Sequence, residues 1–146
     1  MEEISEIRIF PMGSVDGDTK TIRHVKKYLT DKLPNEQEGK YYYRSEPEMN
    51  YIENTKVLVL FQYDGMIRGC GTLIGLNTED GKEEFGHYYP GYFLFEPESI
   101  KFFNNPIRKQ KLSKISEKFE NFSQGKQSIE IETLDKIMEE INKRIK

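Results

Sequence analysis

Five apolar residues stand side by side at Val57-Leu58-Val59-Leu60-Phe61, and Asp64-Gly65 follows shortly after. Side chains alternate along a strand, so an unbroken apolar run leaves no solvent-facing side. Asp-Gly is the pair favoured where a two-residue hairpin needs positive φ. Met66 to Leu76 is therefore expected to return antiparallel to the first strand. Gly69, Gly71 and Gly75 punctuate that return. Period-two alternation puts all three on one side, where missing side chains permit sharp curvature or close approach of another backbone or a ligand.

The flanks supply the remaining elements. Glu6 to Met12 alternates around Ile7, Ile9 and Phe10, and reads as an opening strand closed by Pro11. Gly13 to Asp18 is turn-like, with Asp18 as a helix cap. Ile22, Val25, Leu29 and Leu33 have the spacing of an amphipathic helix over 19–33, ended by Pro34. Tyr41 to Arg44 is a short strand of β-favouring residues, and the tyrosine triplet 41–43 reads as edge-strand packing. Residues 77–86 form a charged loop, and Tyr92 to Phe95 and Ser99 to Phe103 are further strands. A helix over 108–122 carries Leu112, Ile115, Phe119 and Phe122 inward, with Lys111, Lys114 and Lys118 outward. Gln127 to Glu132 is a strand exposed on one side, and Thr133 to Lys146 a closing amphipathic helix. With mostly hairpin links, the class is α+β: a small β-barrel of about five or six strands flanked by about three helices.

The chain has 146 residues and no linker or repeat, which suits one domain spanning 1–146. Apolar content is only 36%, but nine Tyr and nine Phe each bury a large area, so a modest core under a charged coat is expected. No apolar stretch of ~18 residues is present to span a membrane. The acidic start Met1-Glu2-Glu3 is unlike a signal peptide, so a cytoplasmic protein is expected. Cys70, with only His24 and His87 as other soft ligands, excludes an internal disulfide and gives no zinc spacing. No cofactor is implied. Cys70 reads as a small buried hydrophobe.

Charge is unevenly spread within the net −3. Residues 41–100 hold four basic against ten acidic groups, and residues 101–146 hold eleven against seven. Lys101, Arg108, Lys109, Lys111, Lys114 and Lys118 face only Glu117 in their window. Phosphate neutralisation supplies most of the affinity of a sequence-independent nucleic-acid binder, and this patch is small. Binding to RNA or DNA is then weak, or depends on a pocket. The candidate pocket is aromatic: Tyr88-Tyr89-Pro90-Gly91-Tyr92-Phe93 offers flat rings on which a base can stack. His87 beside it offers a hydrogen bond to a base edge. Lys26 and Lys27, with Lys20, form a second basic group. There is no catalytic triad, phosphate loop or metal-ligand spacing, which favours binding over turnover.

Several stretches are similar to the PUA-like superfamily, which includes the EVE, ASCH and YTH domains. They are the hairpin Val57–Gly71, the later pair Tyr89–Ile100 with Phe103-Asn104-Asn105-Pro106-Ile107, and Phe122–Gln127 before a last strand. The resemblance spans about residues 40–132 and rests on hydrophobics, glycines and prolines. It implies a compact barrel that binds RNA or DNA, often reading a modified base in an aromatic cage. This chain has no Trp, which EVE and YTH cages commonly supply, so Tyr and Phe would replace it. A minority of ASCH proteins are amidohydrolases of modified nucleosides that use Lys, Thr and Glu.

The leading expectation is a domain for nucleic acid or a modified nucleotide. Tyr63, Tyr88 and Tyr92 line the site, Gly69 and Gly71 admit the ligand, and His87 reads an edge. Arg108, Lys109, Lys111 and Lys114 meet phosphate. One alternative is a protein-interaction module that docks through its closing helix. Another is a small hydrolase of modified nucleosides using His87 or Lys56.

Overall fold

The computed structural model describes residues 3–12, 21–43, 51–84, 86–123 and 126–145. Strand β1 is Ile4–Pro11, β2 Lys40–Tyr43, β3 Lys56–Tyr63, β4 Met66–Asn77 and β7 Gly91–Phe95; β8 is Lys101–Arg108 and β9 Gln127–Ile129. They form a seven-stranded sheet in the order β2-β7-β4-β3-β1-β9, with β8 also paired to β4. A separate hairpin joins β5 (Lys82–Glu84) to β6 (His87–Tyr89). Helix α1 is Ile22–Lys27, α2 Lys109–Ile115 and α3 Leu134–Arg144.

The β3–β4 hairpin forms as expected, with Asp64 (φ 53°) and Gly65 (φ 73°) at its tip. The barrel does not. The sheet is open, with β2 and β9 at its two edges. β1 lies parallel to β3, a pairing that needs a crossover, and α1 with β2 fills the sequence between them. The apolar run of β3 is buried by a layer on each side of an open sheet, so closure is not needed to cover it. Val57, Val59 and Phe61 share one core with Phe10, Phe93, Phe95, Val25, Leu29 and Leu33. Leu58 and Leu60 share the other with Ile7, Ile9, Phe103, Ile107, Leu112, Ile137 and Ile141. At ~25 cal/mol per Å² of apolar area buried, these two layers are the dominant stabilising term.

Local departures from the sequence pattern have physical causes. Helix α1 starts one residue after Thr21, whose side chain accepts from the His24 N–H; the Gly13–Asp18 turn and Lys20 lie outside the described residues. Pro34 does not end the helix. Tyr28–Glu36 continues with π-helical turns, and the Gln37 N–H bonds the Lys32 carbonyl five residues back at 2.8 Å. The wider turn gives room to a ring that an α-turn would press on the Thr30 carbonyl. Helix α2 stops at Ile115 rather than 122, because Ser116 is buried and donates to Glu130 Oε1. The chain then folds inward so that Phe119 and Phe122 meet edge-on at 4.9 Å.

Helix α3 turns its apolar face into the molecule, with Ile137 and Ile141 in the second core. That removes the closing helix as a free docking surface. Its buried Glu140 binds Arg144 at 2.9 Å, Lys143 at 3.1 Å and Lys111 at 3.8 Å. Arg144 in turn donates to the Asn105 carbonyl of β8 at 2.8 Å. The Lys111 ammonium is thus held by α3.

Candidate functional site

The glycines of β4 face the protein's own atoms. A Cβ on Gly69 would meet the Lys101 carbonyl and lie 2.7 Å from Leu29 Cδ1. On Gly71 it would lie 3.1 Å from Phe95 Cδ1 and 3.4 Å from Ile100 Cγ1. The room left by both missing side chains is filled by strand, helix and ring, so neither glycine admits a ligand. Nor do the three glycines share a side: the register slips between Leu73 and Gly75, which puts Gly75 against Leu94.

The tyrosines expected to converge are separated. Tyr63 pairs with Met66 at one end of β4, and Tyr92 pairs with Asn77 at the other. Tyr63 packs on the first core. Tyr88 is 61% exposed on β6 opposite Glu83. On that hairpin His87, Tyr89, Lys82 and Glu84 share one face, and Tyr88 and Glu83 share the other.

The rings that do meet are Tyr42, Tyr89 and Tyr92. Tyr42 lies directly opposite Tyr92 across β2 and β7, with ring centroids 5.4 Å apart. Tyr41 and Tyr43 point the other way into the first core, and Phe93 goes with them. The β5–β6 hairpin brings Tyr89 to 6.4 Å from Tyr42. Two ammonium groups sit on this cluster: Lys82 Nζ is 4.2 Å from the Tyr42 ring centre and Lys40 Nζ 5.4 Å from that of Tyr92. Glu84 anchors the hairpin, at 2.7 Å from Lys82 and 3.6 Å from Lys32. The hydrogen bond from Lys82, with the Lys32 charge, holds its carboxyl below the usual range.

All three residues are half-buried. Chemically, the cluster offers planar faces with cations beside them. Lys82 is tied to Glu84, whereas Lys40 has no carboxylate within ion-pair distance among the described residues, so a flat ring that takes its place on Tyr92 leaves the Lys40 ammonium for an anion. His87 lies on the same hairpin face as Tyr89.

The basic residues divide in a similar way. Lys111 is within ion-pair distance of Glu140, and Lys109 donates to Asn121 Oδ1. Arg108 is exposed and touches only the Met66 sulfur, at 3.7 Å, among the described residues; Lys114 is exposed on α2. Burial pushes the Cys70 thiol up to about 12, with Lys101 pulling weakly the other way, so it is no nucleophile. Among the described residues no group of His, Cys, Asp and Glu could hold a metal ion, and no helix is long and apolar enough to cross a membrane.

No family model matches the chain, and no curated protein matches it. Solved structures do. The crystal structure of ASCH from Zymomonas mobilis superposes with a TM-score of 0.56 at 12% identity, covering 92% of this chain and 94% of that one. The fold is similar to that of this ASCH protein. A serine-to-alanine variant of the same ASCH protein gives 0.55 at 12% identity, covering 92% and 95% of the two chains. Its tyrosine-to-phenylalanine variant gives 0.54 at 11%, covering 92% and 97%. These matches agree in fold with the PUA-like resemblance of the sequence. The likeness covers 92% of the chain, and at this identity it is a likeness of fold.

The sequence places Tyr89 in the aromatic run but does not show that Tyr42, Lys40 and Lys82 join it. One signal for Tyr42 was present: alternation sends it opposite to Tyr41 and Tyr43. Its meeting with Tyr92 depends on a β2–β7 pairing across nearly fifty residues of chain, which no local pattern carries.

Proposed function

We propose that this chain is a nucleic-acid or modified-nucleotide binding domain whose base-stacking surface is Tyr42, Tyr89 and Tyr92. A base stacks on Tyr92 or Tyr42, Lys40 and Lys82 meet its phosphate, and His87 lies beside the base edge. The observation that carries the reading is the cross-strand Tyr42–Tyr92 ring pair with a lysine on each ring. Stacking on an aromatic side chain contributes ~1–3 kcal/mol per base, which suits a protein of net charge −3 with few phosphate contacts. The ASCH fold supports the same class of ligand through the resemblance stated above.

Titration of labelled mononucleotides and short single strands, by calorimetry and anisotropy, tests it. Tyr42→Leu and Tyr92→Leu should each weaken binding by about five- to a hundredfold at every salt concentration. Affinity unchanged in both variants would sink it.

A second reading has one specific observation behind it. Lys56 Nζ lies 3.6 Å from Glu96, and the Glu96 N–H bonds the Thr72 carbonyl at 2.9 Å. A Lys and a Glu side chain therefore meet beside the backbone of a Thr, the residue types that hydrolysis of an amide-modified nucleoside would use. Release of the acid from an N-acylated nucleoside, abolished by Lys56→Met, is the result this reading requires.

A further inference from the structure

We propose that the face of the sheet beside the β3–β4 hairpin, centred on Arg68, is a separate contact for the phosphodiester backbone of single-stranded nucleic acid. It shares with the preceding reading only the class of ligand; the residues are different and lie at the other end of β4.

Arg68 occupies a bulge. Against β3 the register passes from Phe61↔Gly69 to Gln62↔Ile67, and against β8 it also slips between Ile67 and Gly69. Arg68 is thus the extra residue against β3, the situation in which a strand re-aims a side chain, while on the other flank four residues of β8, 103–106, stand against it. Its Nε is buried and has no hydrogen-bond partner. A guanidinium with a desolvated, unsatisfied Nε–H is a poorly solvated cation, and an oxygen anion bound at its terminal nitrogens would offset that cost. Guanidinium geometry matches the oxygens of a phosphate, which it binds in a bidentate fork.

Two further cations reach the same stretch of β4 from other elements. Arg108 lies opposite Met66, with Nη1 3.7 Å from its sulfur. Lys26 of α1 has its Nζ 5.8 Å from the ring centre of Phe102, which lies opposite Gly69. Among the described residues none of the three has a carboxylate within ion-pair distance. By contrast Lys56, Lys82 and Arg144 each pair with a glutamate, at 3.6, 2.7 and 2.9 Å. Two half-buried rings flank the same stretch, Tyr63 opposite Met66 and Phe102 opposite Gly69, both packed on the first core and so on one face. Rings and cations along one stretch fit a strand that presents both bases and phosphates.

The test uses the whole chain and a labelled twelve-nucleotide single strand, titrated at several KCl concentrations. Arg68→Met should weaken binding about five- to tenfold at low salt while the unfolding midpoint stays or rises, since the variant removes the unsatisfied buried group. Adding Lys26→Gln and Arg108→Gln should reduce the slope of log affinity against log salt by about 2, since each phosphate no longer neutralised takes ~0.7 from it. Lys136→Gln, a change of the same charge on exposed α3, should alter neither. The proposal is overturned if the triple variant keeps the wild-type slope, or if Lys136→Gln reduces it equally. Arg68-dependent binding to phosphatidylserine vesicles with none to the oligonucleotide also overturns it. Tyr42→Leu and Tyr92→Leu act through stacking and should leave the slope intact. If they do nothing while the triple variant flattens the slope, the base-stacking reading fails and this one stands.

Discussion

Leu29 Cδ1 lies 2.7 Å from where Gly69 would carry a Cβ, so the segment after α1 closes directly on bare β4 backbone. Closer still stands the Lys101 carbonyl, which cannot swing aside as a side chain can. Gly69→Ala should therefore destabilise by about 1–3 kcal/mol or more, as overpacking does. Gly71→Ala, whose nearest neighbour is the Phe95 ring at 3.1 Å, should cost less. Urea unfolding measures both, and a Gly69→Ala midpoint equal to wild type would contradict the packing.

Acid should loosen the contact between α3 and β8. Desolvation of the buried Glu140 carboxylate raises its pKa, but hydrogen bonds from Arg144 and Lys143 and the Lys111 charge outweigh it and hold the pKa below 4.5. Below the ordinary carboxylate pKa the unfolded chain takes up the proton first. The stability due to this group is complete above about pH 4.5 and is lost as pH falls through the lower folded value. Glu140→Gln should flatten stability against pH in that window and cost about 3 kcal/mol at neutral pH. Thermal melts from pH 3 to 7 give both.

Cys70 should resist thiol reagents in the folded protein. It is 5% exposed and burial pushes its pKa up to about 12. Iodoacetamide at pH 8 should label it only after unfolding in urea, as read by intact mass. Rapid labelling of the native chain would show that the second core opens readily.

Tyr88 and Tyr92 should behave oppositely despite their closeness in sequence. Tyr88 lies on the outward face of the β5–β6 hairpin, so Tyr88→Ala should leave stability within about 0.5 kcal/mol and nucleotide binding unchanged. Tyr92→Leu should weaken binding. Calorimetry on the two variants side by side gives the comparison.

The hairpin Val57–Leu76 could be read from sequence because its signals are local: an unbroken apolar run, an Asp-Gly tip and β-favouring neighbours. The inward stripes of the continuous helical stretch 22–36 and of α3 were legible for the same reason, through Val25, Leu29, Ile137 and Ile141. Closure was not legible. An apolar run shows that both faces of β3 are covered but not whether by a curled sheet or by layers on either side; the parallel β1–β3 pairing decides that, across some fifty residues. The site suffered likewise. Tyr88 and Tyr92 are neighbours in the chain, yet the turn at Pro90 between β6 and β7 separates them, while Tyr42 arrives from a distant strand. Bulges did the rest, since the slip at Arg68 and that at Gly75 undo the alternation on which any face assignment depends.

The pairing of β1 with β9 joins the beginning of the described sheet to a segment near its end, through Ile7↔Ile129, Arg8↔Ser128 and Ile9↔Gln127. During synthesis the outer flank of β1 therefore has no native partner until Gln127–Ile129 has left the ribosome. A nascent chain halted before that point presents an open hydrogen-bonding ladder to its neighbours, and it is there that chaperone capture or intermolecular strand exchange should concentrate.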